Sequence, residues 1–129
     1  MAESLVGEVA SWLATPAAQD LTAAERLVLL IIAERAHKQT RRFWVHKGDV
    51  RDDGTAITPT ETIAMRAGVT TDGLTKILRR LSDRGLEVRV PRGVRKNGAP
   101  IFAVRGRATD FHVPELPASI ELPASRYGQ

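Results

Sequence analysis

Residues 58–86 read TPTETIAMRAGVTTDGLTKILRRLSDRGL, and the organisation of the chain turns on this stretch. Thr58-Pro59-Thr60-Glu61 places an N-cap threonine, a proline at the first helical position and a glutamate at the third, so three helix-start signals coincide. The spacing predicts a helix through Ile63 and Ala64 to Ala67, with Gly68 supplying the left-handed residue that stops it. Val69 should then point inward and Thr70 should cap a new helix. Within that helix Leu74, Ile77, Leu78 and Leu81 fall at i, i+3, i+4 and i+7, and Gly85 stands where a C-terminal stop belongs.

Opposite that apolar stripe, at roughly 100° per residue, fall Asp72, Thr75, Lys76, Arg79 and Asp83. Asp72 has two open roles: a carboxylate in the first turn interacts well with the helix dipole and can cap amides, and it can accept from cytosine N4 in a major groove. Gly73 costs about 1 kcal/mol of helix propensity against alanine. A missing side chain there would let the helix N-terminus approach a phosphate or a neighbouring helix closely, with chance drift as the plain alternative.

After the helix, Leu86-Glu87-Val88-Arg89-Val90 alternates apolar and polar residues and Ile101-Phe102-Ala103-Val104 is a second β-prone run. The connection PRGVRKNGAP contains the turn pair Asn97-Gly98 and carries Arg92, Arg95 and Lys96 near its tip. Two helices joined by a tight glycine turn and followed by a basic hairpin have the architecture of a winged helix.

Upstream, Ser4 can cap a short helix with Leu5, Val9, Trp12 and Leu13 on one face, ended near Pro16. Asp20 and Thr22 are candidate caps for the next helix. Thr22 stands three residues before Glu25 in capping-box spacing, and the helix is expected to run to about Lys38. Its run Leu27 to Ala33 is apolar on every face, so the first helix, the basic segment or a second subunit should cover it. Phe43, Trp44 and Val45 suit a strand, and Asp52-Asp53-Gly54 suits a turn into a short strand at Thr55 to Ile57.

On these residues the chain resembles the winged helix-turn-helix domains of phage and plasmid replication-initiator type and their stand-alone regulatory relatives. The resemblance is carried by LTAAERLVLLIIAERA, TPTETIAMRAGV, TTDGLTKILRRLSDRGL and the hairpin to Val104, about residues 21 to 106. The linker RRFWVHKGDVRDDG is longer than the short connection expected there. The resemblance implies that the third helix of the domain enters the major groove and that the wing contacts phosphate or the minor groove.

Charge agrees. Residues 58–107 hold 11 Lys/Arg against 4 Asp/Glu, net +7, while residues 1–57 are net −1 and residues 108–129 net −2. A positive field concentrated on one segment favours a polyanion, with a merely solvated basic surface as the bland alternative. Candidate contacts on the helix at 71–84 are Thr70, Thr71, Asp72, Gly73, Thr75, Lys76, Arg79 and Arg80, with Arg79 and Lys76 foremost. Arg80 and Arg84 flank the stripe and suit phosphate contacts or surface charge. Arg89, Arg92, Arg95 and Lys96 make the wing group at 91–100 and its approach.

Other function classes find little support. There is no cysteine, which removes disulfides, thiolate metal sites and a thiol nucleophile, and agrees with a reducing cytoplasm. His37, His46 and His112 lack a metal spacing, and Asp49, Asp52 and Asp53 lack the glutamate that closes a calcium loop. The longest apolar run is too short for a bilayer, and residues 1–13 do not resemble a signal peptide.

The tail holds a repeat, Glu115-Leu116-Pro117-Ala118-Ser119 and Glu121-Leu122-Pro123-Ala124-Ser125. It is either frayed or a strap placing Val113, Leu116, Ile120 and Leu122 on the domain or on a partner. The expectation is a mainly α fold with a small β-hairpin wing (α+β): residues 1–20 an N-terminal helix and possible dimerisation element, 21–107 the winged helix-turn-helix, 108–129 an extended tail. In function it is a sequence-specific double-stranded DNA-binding protein, a transcriptional regulator, homodimeric, cytoplasmic on the nucleoid, not an enzyme, without cofactor, small-molecule ligand or membrane. Within DNA binding the alternative is a replication accessory or initiator, and from another class a protein-interaction module.

Overall fold

A computed structural model describes residues 4–44, 50–103 and 108–117. The order is α1 (Leu5–Leu13), a 3₁₀ turn (Pro16–Ala18), α2 (Ala23–Glu34), α3 (Pro59–Ala67), α4 (Thr71–Asp83), β1 (Gly93–Val94) and β2 (Pro100–Ile101). The fold is mainly helical with one two-stranded antiparallel sheet, in register Gly93 with Ile101 and Val94 with Pro100.

Helix starts follow local chemistry. Ser4, Thr22, Thr58 and Thr70 all stand as N-caps, each accepting a backbone amide on its hydroxyl, and Thr22/Glu25 and Thr58/Glu61 complete reciprocal capping boxes. Gly68 ends α3 at φ 73°, and Val69 N–H reaches back to Ala64 O at 3.0 Å. Gly85 does the same after α4 at φ 83°, with Leu86 N–H donating to Leu81 O at 2.8 Å.

The all-apolar run of α2 is covered from within the chain. α1 packs on it with Leu5, Val9, Trp12 and Leu13 buried, and α3 and α4 pack on it as well, so no second subunit is needed to bury it. Leu27 alone of the run stays exposed. Arg26 locks the α1–α2 connection by donating to the carbonyls of Leu13, Ala18 and Leu21 at 3.0, 2.8 and 3.1 Å. Burying Leu74, Ile77, Leu78 and Leu81 in the same core stabilises the docking of α4 by roughly 1.5–3 kcal/mol per side chain before entropy is counted.

Three expectations are corrected. α2 ends at Glu34 with Arg35 as its C-cap, not near Lys38, because Ala36 enters an antiparallel bridge with Phe43 and His37 N–H donates to Arg42 O at 2.8 Å. The run Leu86–Val90 takes its partner from residues 110–112. Arg89 bridges Phe111, Val90 N–H donates to Asp110 O and His112 N–H to Val88 O, both at 2.9 Å. The hairpin is accordingly short, and of Ile101–Val104 only Ile101 joins its strand, Val104 lying outside the described residues.

The third correction concerns residues 43–57, where regular strands give way to single bridges: Ala36 with Phe43, Arg42 with His112, Val50 with Ala56. Gly54 makes the expected turn at φ 85°, while Val45 lies outside the described residues. The strap arrangement holds for the part of the tail that is described. Phe111 and Val113 are buried, Leu116 packs against the core, and Trp12 Nε1 donates to Pro117 O at 2.7 Å. Ile120, Leu122 and the second pentapeptide lie outside the described residues.

Candidate nucleic-acid interface

α4 divides its side chains by face. Leu74, Ile77, Leu78 and Leu81 point into the core, and Thr71, Asp72, Thr75, Lys76, Arg79 and Arg80 are exposed. Lys76, Arg79 and Arg80 make no ion pair among the described residues. Each therefore keeps its full hydrogen-bonding capacity for an outside anion. The helix is held in this orientation from its far end. Arg84 Nε lies 3.0 Å from Glu25 Oε1, and Glu25 is fully buried while also accepting Thr22 N–H at 3.0 Å. One carboxylate thus starts α2 and anchors the end of α4, so Arg84 belongs to the fold, not to a contact surface.

At the N-terminus the cap is Thr70, whose Oγ1 accepts Gly73 N–H at 3.0 Å. Asp72 makes no hydrogen bond among the described residues, so the capping role falls to Thr70 and the aspartate acts on α4 through its charge alone. A Cβ at Gly73 would stand 3.3 Å from Thr70 Oγ1, a close contact with the cap, and 3.5 Å from Val69 Cβ, an ordinary one. Thr75 donates its hydroxyl to Thr71 O at 3.0 Å, leaving it an acceptor toward solvent.

The hairpin arginines split differently. Arg95 and Lys96 stand exposed at the tip, in a loop closed by Gly98 N–H to Arg95 O at 2.9 Å and Arg95 N–H to Ala99 O at 2.7 Å, with Gly98 at φ 88°. Arg89 grips Glu87 with two side-chain hydrogen bonds of 2.8 Å and lies 4.1 Å over the Phe102 ring. Burial pushes the Glu87 carboxyl up, but hydrogen bonds from Arg89 and Ser82 outweigh it and hold the group below its ordinary range. Arg92 donates to Ala108 O at 2.6 and 3.2 Å and lies 3.3 Å from Asp110. Arg92 braces the hairpin against Ala108 and Asp110, Arg89 holds Glu87 and Phe102, and the tip is left to Arg95 and Lys96.

The remaining polar clusters are accounted for locally. His112 Nε2 lies 3.0 Å from Glu87 O, His37 sits edge-on to Trp44, and His46 and Asp49 lie outside the described residues. Among the described residues no group of three metal-binding side chains forms, and no helix is long and apolar enough to cross a membrane. Phe111 is the core residue that sequence reading missed. The alternation Asp110-Phe111-His112-Val113 is the signal that pairs it with Leu86–Val90. Compared with known proteins, the chain matches no protein-family model, no curated protein and no solved structure.

Proposed function

We propose that the chain is a winged-helix protein that binds double-stranded DNA in a sequence-specific way and regulates transcription. α4 is its recognition helix and residues 91–100 its wing. The observation that carries this reading is the outer face of α4, where Lys76, Arg79 and Arg80 stand exposed without an ion pair among the described residues, beside Thr71 and Thr75. A protein-binding surface would be expected to lose charge at its centre. Arg79 takes guanine O6 and N7 in bidentate fashion, Lys76 and the threonines read neighbouring edges, and Arg80, Arg95 and Lys96 take phosphates.

A homodimer belongs to the reading because one recognition helix covers only a half-site. Sedimentation with and without duplex checks it, and a strictly monomeric protein in both removes it. Genome-wide pull-down of bound DNA tests the function. Enrichment at promoters is the expected result, enrichment at replication origins assigns the protein to replication, and recovery of no DNA above background overturns DNA binding.

A further inference from the structure

We infer that the hairpin carries an apolar wedge, Val94 with Pro100, that enters the minor groove of a duplex and bends it at an easily unstacked base step. The inference rests on the reading of the chain as a duplex-binding protein. Val94 is 70% exposed, and Pro100, its partner in the antiparallel register, is exposed as well. Residues directly opposite each other on paired strands share a face, so the two side chains form one apolar edge.

Backbone bonds on either side hold that edge in place. Arg92 N–H donates to Ile101 O and Arg95 N–H to Ala99 O, both at 2.7 Å, and the Arg92 side chain ties the stem to Ala108 O. Residues 91–101 contain no Asp or Glu. Arg95 and Lys96 follow Val94 directly and are exposed without an ion pair among the described residues.

A single exposed valine is ordinary in itself, and its neighbours are what set this one apart. Leu27, Val50 and Met65 are also exposed, and each adjoins an arginine in sequence. Those arginines are already engaged: Arg26 by three backbone carbonyls, Arg51 by Glu61 and Arg66 by Glu34. At Val94, apolar surface coincides with positive charge that no carboxylate among the described residues has neutralised. That combination fits a polyanion with an apolar interior, where phosphates take Arg95 and Lys96 while the wedge parts two base pairs. Pyrimidine–purine steps unstack easily and A-tracts are stiff, so the wedge adds a sequence preference without any hydrogen bond to a base.

The test uses the full chain and two end-labelled duplexes of about 20 base pairs, one with central TA steps and one with an A-tract in their place. Energy transfer between the ends reads the bend, and low salt keeps the complex populated. The wild type is expected to raise transfer in the TA duplex and to bind it roughly tenfold tighter than the A-tract duplex. Val94→Ser should bind the two alike and leave transfer unchanged. Arg95→Ala should weaken both equally while the bound TA duplex stays bent. An undiminished bend in Val94→Ser, or a wild type that binds without bending, would overturn the wedge and leave DNA binding standing. A wild type that binds neither duplex at low salt would instead overturn the DNA-binding reading, and the wedge with it.

Discussion

The outer face of α4 and the stem of the hairpin carry similar numbers of cations and use them in opposite ways. On α4, Lys76, Arg79 and Arg80 make no ion pair among the described residues, although Asp72 and Asp83 stand on the same helix. On the stem, Arg89 is taken by Glu87 and Phe102, and Arg92 by Ala108 O and Asp110. Arg84, one turn beyond Arg80, already belongs with the second group through buried Glu25. The difference shows that net charge overstates a binding surface. What counts is which guanidinium groups the fold has already committed.

The largest expected effect bears on the committed group. Glu25→Ala removes a capping-box carboxylate and leaves Arg84 facing a fully buried site without its partner, so it should cost about 3 kcal/mol of stability in urea unfolding. Glu25→Gln retains the oxygen that accepts Thr22 N–H and should cost less than the alanine variant. Should Glu25→Ala unfold with the wild-type midpoint, the anchoring of α4 is misassigned.

A middle-sized effect sharpens the free group. Arg80, Arg95 and Lys96, the cations assigned to phosphates, should together give a slope of roughly −3 per subunit for log affinity against log salt. Arg95→Ala and Lys96→Ala should each reduce the slope by about one unit and weaken all duplexes alike, whereas Arg89→Ala should leave the slope almost unchanged and lower thermal stability. An equal loss of slope in Arg89→Ala would erase the distinction between tip and stem.

Gly73 offers a subtler probe of the same face. Alanine there should gain about 1 kcal/mol of propensity, yet its Cβ would crowd Thr70 Oγ1, so Gly73→Ala is expected to be close to neutral. Combined with Thr70→Ala, which has no hydroxyl to crowd, the substitution should recover its gain. A double-mutant cycle without coupling would remove this reason for the glycine.

The smallest effect is electrostatic. Hydrogen bonds from Arg51, then from the Thr58 backbone and side chain, hold the exposed Glu61 carboxyl at about 2, against its ordinary 4.5. A depressed value contributes stability that is fully present above the ordinary value and fades as pH falls toward the folded one. Solvent screening at this exposed site keeps the contribution small. NMR titration should find Glu61 still ionised where free glutamates have protonated, and a titration at the ordinary value would contradict the bond with Arg51.

What was legible in the sequence is what depends on near neighbours. Thr22 with Glu25, Thr58 with Glu61, Thr70, Gly68, Gly85 and the stripe from Leu74 to Leu81 all act within a few residues of their partners, so the helices and the outer face of α4 could be read directly. The long-range partners were hidden. Leu86–Val90 fits 101–104 and 110–112 about equally by alternation, and Phe111 decides between them only through burial in the core. The fate of each arginine was hidden for the same reason. Arg84 and Glu25 lie far apart in sequence, and nothing local marks Arg92 as reaching Ala108 O.

The central claim, that α4 reads bases with cations the fold has left free, is tested most directly by titrating Arg79→Ala against its preferred duplex and a random one. Folding should be unchanged, since Arg79 is exposed and makes no ion pair among the described residues. The expected result is a loss of roughly 1 to 3 kcal/mol on the preferred duplex and much less on the random one. Equal losses on the two duplexes would show that α4 is not the reading element and would contradict the account.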